Sequence, residues 1–215
     1  MRIRFAGAAA VATAGILLLT ACGSDDDGSK AGDEIAGAEK KDKEPSASAS
    51  PEEKGAPKFD LPSDVKVVID DDKTGDKAKD EVLKDHGYAL MAMQEAYAKA
   101  KATGNFDRYW QGEAASKFRA VFDGYRKGGT TITGTDRFYG RAVMSHERKK
   151  ALVTFCEDQR KAFDKDVKSK KVSRDEPSLD SFIEIRTVLE KGSAGDWKIT
   201  EYLGQRGSKS CQKDA

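Results

Sequence analysis

The sequence of 215 residues predicts an α+β fold for residues 77–215, with N-terminal helices over one face of an antiparallel sheet of about four to five strands. Two observations predict this class. Apolar side chains first recur at three- and four-residue steps, and the pattern then changes to alternation with a period of two. A third observation indicates where the folded part begins: residues 23–76 have no periodic apolar pattern before Val65.

The first predicted helix covers residues 80–101, along which apolar side chains recur at helical spacing: Leu83, Leu90, Met93, Tyr97 and Ala100. Thr74 or Asp76 could cap its N-terminus, and Gly104 ends it. A second helical segment covers residues 105–129 and ends at a pair of glycines. Both helical segments precede the strong strand signals.

The predicted strands follow the helices. Four segments alternate in polarity or are rich in β-branched and aromatic residues: residues 141–147, 151–158, 181–190 and 197–203. Residues 130–133 are a candidate fifth strand. Helices followed by a run of strands favour an α+β domain rather than an alternating α/β one.

The N-terminus has the pattern of a secretory signal peptide. Arg2 and Arg4 precede an apolar stretch at residues 5–19 that is slightly short for a membrane span. The tetrapeptide at residues 19–22, Leu-Thr-Ala-Cys, resembles the lipobox of bacterial lipoproteins. This resemblance implies a signal peptide at residues 1–21 and a diacylglycerol group on Cys22. The alternative is an ordinary cleaved signal with a cysteine by chance.

On that resemblance, the protein is held at the extracytoplasmic face of the cell membrane, with the lipid bilayer as its partner through acylated Cys22. We expect residues 22–76 to be a disordered tether, because their low-complexity composition cannot bury enough apolar surface. Residues 23–76 carry 16 acidic and 8 basic side chains, whereas residues 77–215 carry 21 and 28. The chain is therefore an acidic tether joined to a basic head.

The basic head could contact an anionic membrane or a cell-wall polymer. Residues 165–174 form its most basic stretch, which we expect to link two strands. Ordinary solubilising charge and a solvated hairpin loop explain the same patterns. Export, and the absence of aromatic residues between the basic ones, argue against nucleic acid as a partner.

Three stretches carry a wider resemblance: "GTTITGTDRFYGRAV", "ALVTFCEDQRKAFDKDVKSKKV" and "GDWKITEYLGQRGSKSC". Together they resemble a family of secreted actinobacterial lipoproteins whose globular part is similar to the nuclear transport factor 2-like fold. The resemblance covers roughly residues 65–215. It implies a curved sheet wrapped around helices as a cone. That fold hosts enzymes, binding proteins and structural domains, so it does not define a function.

The chain has three cysteines. If Cys22 is lipidated, Cys156 and Cys211 remain in a chain exported to an oxidising compartment, and we predict a disulfide between them. A catalytic thiol would need a nearby histidine. Neither of the two histidines lies in a nucleophile motif.

One stretch comes close to a calcium-binding loop. In "DDDKTGDKAKDE", oxygen-bearing side chains occupy loop positions 1, 3, 5 and 12: Asp70, Asp72, Thr74 and Glu81. Lys77 occupies a position that is usually apolar, and no helix is predicted before the loop. A tether end followed by a helix cap explains the same residues, and we predict no metal site.

Cones of this fold often have a pocket between the sheet and the first helix. Seven side chains could face such a pocket: Tyr97, Tyr109, Trp110, His146, Glu184, Arg186 and Glu201. Glu184 and Arg186 share a strand face and could pair in a cavity, or form an ion pair in water. No motif identifies a catalytic residue or a cofactor.

The expected function is therefore a non-enzymatic binding or interaction module at the outer face of the membrane. The alternative is a small-ligand carrier or a pocket enzyme of the isomerase or dehydratase type. A deep cavity with a buried Asp, Glu or His of shifted pKa at its base would favour the alternative, and a cavity filled by Phe, Tyr and Trp side chains would favour an interaction module.

Overall fold

A computed structural model describes residues 55–215. The elements are, in chain order, β1 (Val65–Ile69), α1 (Lys77–Lys99), α2 (Gly104–Tyr109), α3 (Gly112–Gly128), β2 (Thr130–His146), β3 (Lys150–Asp166), β4 (Val172–Ser173), a 3-10 turn (Leu179–Ser181), β5 (Phe182–Lys191), β6 (Trp197–Arg206) and α4 (Lys209–Lys213). The predicted signal peptide, Cys22 and most of the predicted tether lie outside these residues.

The sheet has the strand order β1-β2-β3-β5-β6, and the short strand β4 pairs with β3. All its pairings are antiparallel except that of β1 with β2, in which Val65 lies opposite Gly134. Three register shifts interrupt the β2–β3 ladder. Such bulges bend and twist a strand, so the long hairpin curves around the helices. The predicted α+β class is confirmed.

The start of α1 shows why the sequence predicts this helix well. The Asp76 side chain accepts hydrogen bonds from the backbone nitrogens of Ala78 and Lys79, so it is the cap that we predicted as one of two candidates. The helix ends at Ala100, whose positive φ of 49° closes the last turn. Its buried face packs with Trp110, whose Nε1 donates to the Ala89 carbonyl oxygen at 2.8 Å.

The globular part begins earlier than the predicted boundary at residue 77. Strand β1 pairs along its whole length with β2. Before it, Phe59 and Leu61 pack against the hydrophobic core. The Asp60 backbone nitrogen also donates to the buried Glu95 carboxylate at 3.0 Å. The sequence predicts a tether over this region because the short apolar run of β1, beside prolines and aspartates, is too weak a strand signal.

The predicted disulfide between Cys156 and Cys211 is confirmed, with Cα atoms 5.5 Å apart. It joins the middle of β3 to the C-terminal helix α4. The Tyr139 hydroxyl donates to the Cys211 carbonyl oxygen, and Phe182 packs beside the bridge. The last residues of the chain are therefore attached to the sheet. Within residues 55–215, no helix is both long and apolar enough to cross a membrane.

Candidate functional site

A cavity of about 290 Å³ lies between helices α1 and α3 and the inner face of strands β3, β5 and β6. The helices contribute Met93, Gln94, Tyr97, Phe118 and Val121 to its lining. The strands contribute Glu157, Gln159, Ile183, Tyr202, Gly204 and Arg206. We call this space the sheet–helix cavity. Its lining combines an aromatic wall with a polar floor.

The aromatic wall consists of three partly buried rings, Tyr97, Phe118 and Tyr202. Phe118 lies between the two tyrosines, with ring centroids 6.3 Å from Tyr97 and 5.0 Å from Tyr202, both in edge-to-face geometry. Phe118 also packs on Trp110 at 4.7 Å, so the wall is continuous with the core. The three rings lie beside the cavity and do not fill it.

The polar floor is built on strand β3. Glu157 and Gln159 are two residues apart, so both project from the inner face of the strand. Glu157 is only 4% exposed, and the Gln159 amide nitrogen donates to its carboxylate. Arg206 donates to the Gln159 amide oxygen at 2.9 Å and to the Asp180 carbonyl oxygen at 3.0 Å. Arg206 thereby orients Gln159, and Gln159 turns its N–H group toward Glu157.

A second polar pair lies at the floor, where α1 meets β2. Gln94 is 1% exposed, and its Nε2 donates to Asp136 at 2.7 Å. Asp136 is buried in phase with Ile132 and Phe138, so simple alternation along β2 places this acidic residue on the inner face of the strand. The Gln94 Oε1 atom is buried and has no hydrogen-bond partner among residues 55–215.

Of the seven predicted pocket residues, the structure brings Tyr97 to the cavity. Tyr109 and Trp110 are buried in the core, where burial raises the pKa of the Tyr109 hydroxyl. His146 packs on Trp197, with ring centroids 5.6 Å apart, and is partly exposed. These three side chains therefore lie away from the cavity.

Glu184, Arg186 and Glu201 lie on the outer face of the sheet. On β5 the buried stripe is Ile183, Ile185, Thr187 and Leu189, so alternation turns the even-numbered residues outward. The Ser208 and Ser210 hydroxyls lie 3.5 and 3.4 Å from the Glu184 carboxylate. Arg186 is exposed, and within the described chain it forms no ion pair with Glu184. The cavity pairing that we considered for these two residues is not formed.

The sequence contains a pattern that indicates the cavity floor, although the predicted pocket residues do not include Glu157 or Gln159. Ala151, Val153 and Phe155 are buried on the inner face of β3, and continuing the alternation gives Glu157 and Gln159. Tyr202 is harder to place from the sequence. A register shift lies opposite Val188 and Leu189, so Ile199 and Tyr202 both reach the inner face although they are three residues apart.

The four residues of the calcium-loop near-match do not converge on one point. Each binds a different side chain: Asp70 binds Arg137, Asp72 binds Arg141, Thr74 binds Asp80, and Glu81 binds Lys191. Arg141 is buried and also donates to the Leu83 carbonyl oxygen at 2.8 Å. This segment therefore attaches the start of α1 to the sheet. Within the described part of the chain, no group of three or more metal-ligating residues occurs.

The basic stretch at residues 165–174 forms the turn between β3 and β4 and the residues that flank it. Lys165 forms an ion pair with Asp64, and the Arg174 guanidinium lies 5.5 Å from the centroid of the Phe163 ring. Lys168 and Lys170 at the tip of the turn are exposed. The predicted link between two strands is present, and its tip is a small cationic surface.

No family model matches the chain, and no curated protein matches it. Solved structures do resemble it. A ketosteroid isomerase-like protein from Erwinia carotovora is 12% identical with a TM-score of 0.41, over 60% of this chain and 97% of that one. The intermembrane-space region of the chloroplast protein ARC6 is 14% identical with a TM-score of 0.38, over 58% and 96%. ActVI-ORFA from Streptomyces coelicolor is 13% identical with a TM-score of 0.39, over 59% and 92%. Likeness of this size carries no argument about ligand or chemistry.

Proposed function

We propose that this protein is a binding module whose sheet–helix cavity holds one small amphipathic molecule, and that acylated Cys22 holds the module at the outer face of the cell membrane. The observation that carries the first part is the open space between the aromatic wall and the polar floor. A cavity of about 290 Å³ is near the lower end of the range for ligand sites, roughly 300–1,000 Å³. The ligand is accordingly small.

The distribution of polarity supports an amphipathic ligand. Tyr97, Phe118 and Tyr202 offer apolar ring surface on one side. Glu157 and Gln159 offer polar atoms on the other. Ligand sites typically combine a mostly apolar lining with a few placed polar groups that fix the orientation of the ligand.

A second candidate function follows from Glu157. A buried carboxylate beside a ligand cavity is suited to abstract a proton from a bound molecule, as in an isomerase or a dehydratase. Glu157→Gln separates the two functions, because it would abolish turnover in an enzyme. Turnover of a retained molecule by the unsubstituted protein, and its loss in Glu157→Gln, would establish this second candidate.

The proposed location rests on residues 1–22 and is tested separately. Cys22→Ser removes the thiol that would carry diacylglycerol. We expect the unsubstituted chain to fractionate with membranes and to gain the mass of an acylated cysteine, and Cys22→Ser to do neither. Intact-mass spectrometry of native protein with residue 22 unmodified would contradict this part of the proposal.

The cavity is tested by filling it. Gly204 lies on the inner face of β6, where an added Cβ would contact Ile183 and Ile185 at 3.4 and 3.6 Å. Gly204→Leu should therefore fit the backbone and project a side chain into the cavity. In native mass spectrometry of the full chain after exposure to a metabolite mixture, we expect one retained small molecule per unsubstituted chain and none in Gly204→Leu. Equal retention by both proteins, or by neither, would contradict a cavity ligand.

A further inference from the structure

We propose that the ligand of the sheet–helix cavity carries a protonated amine or a quaternary ammonium group, which binds between the Glu157 carboxylate and the aromatic wall. This inference rests on the proposed binding function and names the chemical class of the ligand. It starts from the Glu157 carboxylate, which is buried beside the cavity and has no cationic side chain paired with it among residues 55–215.

Four other carboxylates are buried among residues 55–215. Asp85 and Asp136 accept hydrogen bonds from neutral N–H groups, whereas the other two have cationic partners. Asp158 lies 2.7 Å from Arg160, and Glu95 lies 3.4 Å from Lys99. Glu157 has no such partner among residues 55–215, where the group bound to its carboxylate is the neutral Gln159 amide. An ionised carboxylate out of water without a compensating cation is costly. Glu157 faces the cavity, so a ligand cation can supply the missing charge.

Arg206 does not supply this charge by direct contact. Its Nη2 atom is bound to the Gln159 oxygen and its Nη1 atom to the Asp180 carbonyl oxygen. The Gln159 amide group therefore separates the guanidinium from Glu157. What Arg206 contributes is the orientation of Gln159, which leaves the rest of the Glu157 carboxylate available to a donor from the cavity.

The other polar side chain of the floor also lacks a donor. The Gln94 nitrogen is used by Asp136, which fixes the orientation of the amide. Its Oε1 atom accepts no hydrogen bond within the described chain, and Gln94 lines the cavity. An ammonium group has three donors and no acceptor. It therefore matches a floor made of a carboxylate and an amide oxygen.

The aromatic wall fits the same ligand class. The faces of aromatic rings attract cations, and quaternary ammonium groups are commonly bound by clusters of such rings. Tyr97, Phe118 and Tyr202 line the same cavity as Glu157, so the rings can contact the cationic group that pairs with this carboxylate. A divalent metal ion would instead need several oxygen ligands. A single carboxylate beside three rings suits an organic cation.

The test compares probes of similar shape and different charge. Benzylammonium, benzyl alcohol and benzoate, together with tetramethylammonium, are titrated into the full chain by calorimetry at low salt. We expect benzylammonium to bind at least about ten-fold more tightly than benzyl alcohol, and benzoate to bind most weakly. This comparison uses only the unsubstituted protein, so it does not depend on the folding of a variant.

Two matched variants locate the charge effect. Glu157→Gln keeps the size of the side chain and should remove the preference for benzylammonium over benzyl alcohol. Glu201→Gln removes the same charge from the exposed outer face and should leave the preference unchanged. Thermal unfolding of each variant checks that it is folded.

The possible results separate this inference from the binding function. Equal binding of the alcohol and the ammonium, tighter binding of benzoate, or an unchanged preference in Glu157→Gln would overturn the ammonium assignment. Failure of both cationic probes to bind would overturn it as well. In each of these cases the cavity function stands if a metabolite is still retained by the unsubstituted chain and lost in Gly204→Leu.

Discussion

Gln94 donates a hydrogen bond of 2.7 Å to Asp136, a residue 42 positions later in the chain, and so joins the first helix to strand β2 beside the cavity. Both side chains are almost completely buried. The interaction therefore contributes to two features at once. It holds the helix at a fixed position on the sheet, and it fixes the orientation of one side chain of the cavity floor.

Replacing Gln94 tests that contribution. Gln94→Leu keeps a side chain of similar size and removes the hydrogen bond to Asp136. We expect a loss of about 1.5–3 kcal/mol in the free energy of unfolding, as for hydrogen bonds to charged groups. Chemical denaturation measures it. Gln212→Leu, at an exposed position in α4, is the matched control and should change stability by less than about 0.5 kcal/mol.

The disulfide should matter more for the C-terminus than for the cavity. It joins β3 to α4, with a sequence separation of 55 between Cys156 and Cys211. We expect the double substitution to serine to cost about 2–5 kcal/mol of stability. Reducing agent should lower the melting temperature of the unsubstituted chain and leave that of the double variant unchanged. A melting temperature insensitive to reduction in both proteins would contradict this prediction.

His86 should make stability depend on pH. It is fully buried, neither ring nitrogen has a partner among residues 55–215, and Phe155 packs against it at 4.7 Å. Burial, with a smaller effect of Arg141, lowers the pKa of His86 well below its usual value. The unfolded chain therefore binds a proton at higher pH than the folded one. Stability contributed by neutral His86 is fully present above about pH 6.5 and is lost as pH falls toward the folded pKa.

The measurement is the unfolding free energy of the unsubstituted chain and of His86→Leu between about pH 8 and pH 5, a range that spans the unfolded histidine pKa. The variant should be relatively more stable at the acidic end than at the alkaline end. An identical pH dependence in the two proteins would show that His86 does not contribute to it.

Glu95 should hold the N-terminal segment of the globular part against α1. Its buried carboxylate accepts hydrogen bonds from the Asp60 backbone nitrogen, Thr103 and Asn105 at 2.9–3.0 Å. Burial raises the pKa of Glu95, but these hydrogen bonds outweigh it and the pKa is lowered. The contribution of Glu95 to stability is therefore present above the unfolded value and is lost as the solution becomes more acidic.

Glu95→Ala should destabilise the fold by about 2–3 kcal/mol and increase hydrogen exchange at Asp60. Glu113→Ala is the control, because Glu113 lies on an exposed helix face and pairs with Lys117. It should cost less than about 0.5 kcal/mol. Slow exchange at Asp60 in Glu95→Ala would contradict the role given to this carboxylate.

Several elements could be predicted because their signals are local. The Asp76 side chain caps α1 by binding the backbone nitrogens of the residues two and three positions later in the chain, and the apolar stripe of that helix is continuous. The disulfide followed from the number of cysteines and from the compartment implied by the N-terminus. Such signals depend on residues that are close in the sequence or few in number.

The inward-facing residues of the cavity were harder to predict from the sequence. On β5, both alternating faces contain apolar side chains, so sequence alone did not decide that Ile183 faces inward and Glu184 outward. The bulge of β6 shifts the alternation, which moves Tyr202 to the inner face. The parallel pairing of β1 with β2 joins segments that are nearly 70 residues apart, and no local pattern predicts it.

The most direct test of the cavity is to locate a retained ligand by the amide chemical shifts of the full chain. We expect the largest changes at the lining residues Gln94, Gln159, Ile183 and Gly204. The outer face near Leu203, which is 71% exposed, should change little. Changes confined to Leu203 and its outward-facing neighbours would instead mean that the protein binds through its surface, and would contradict the central claim that the sheet–helix cavity is the binding site.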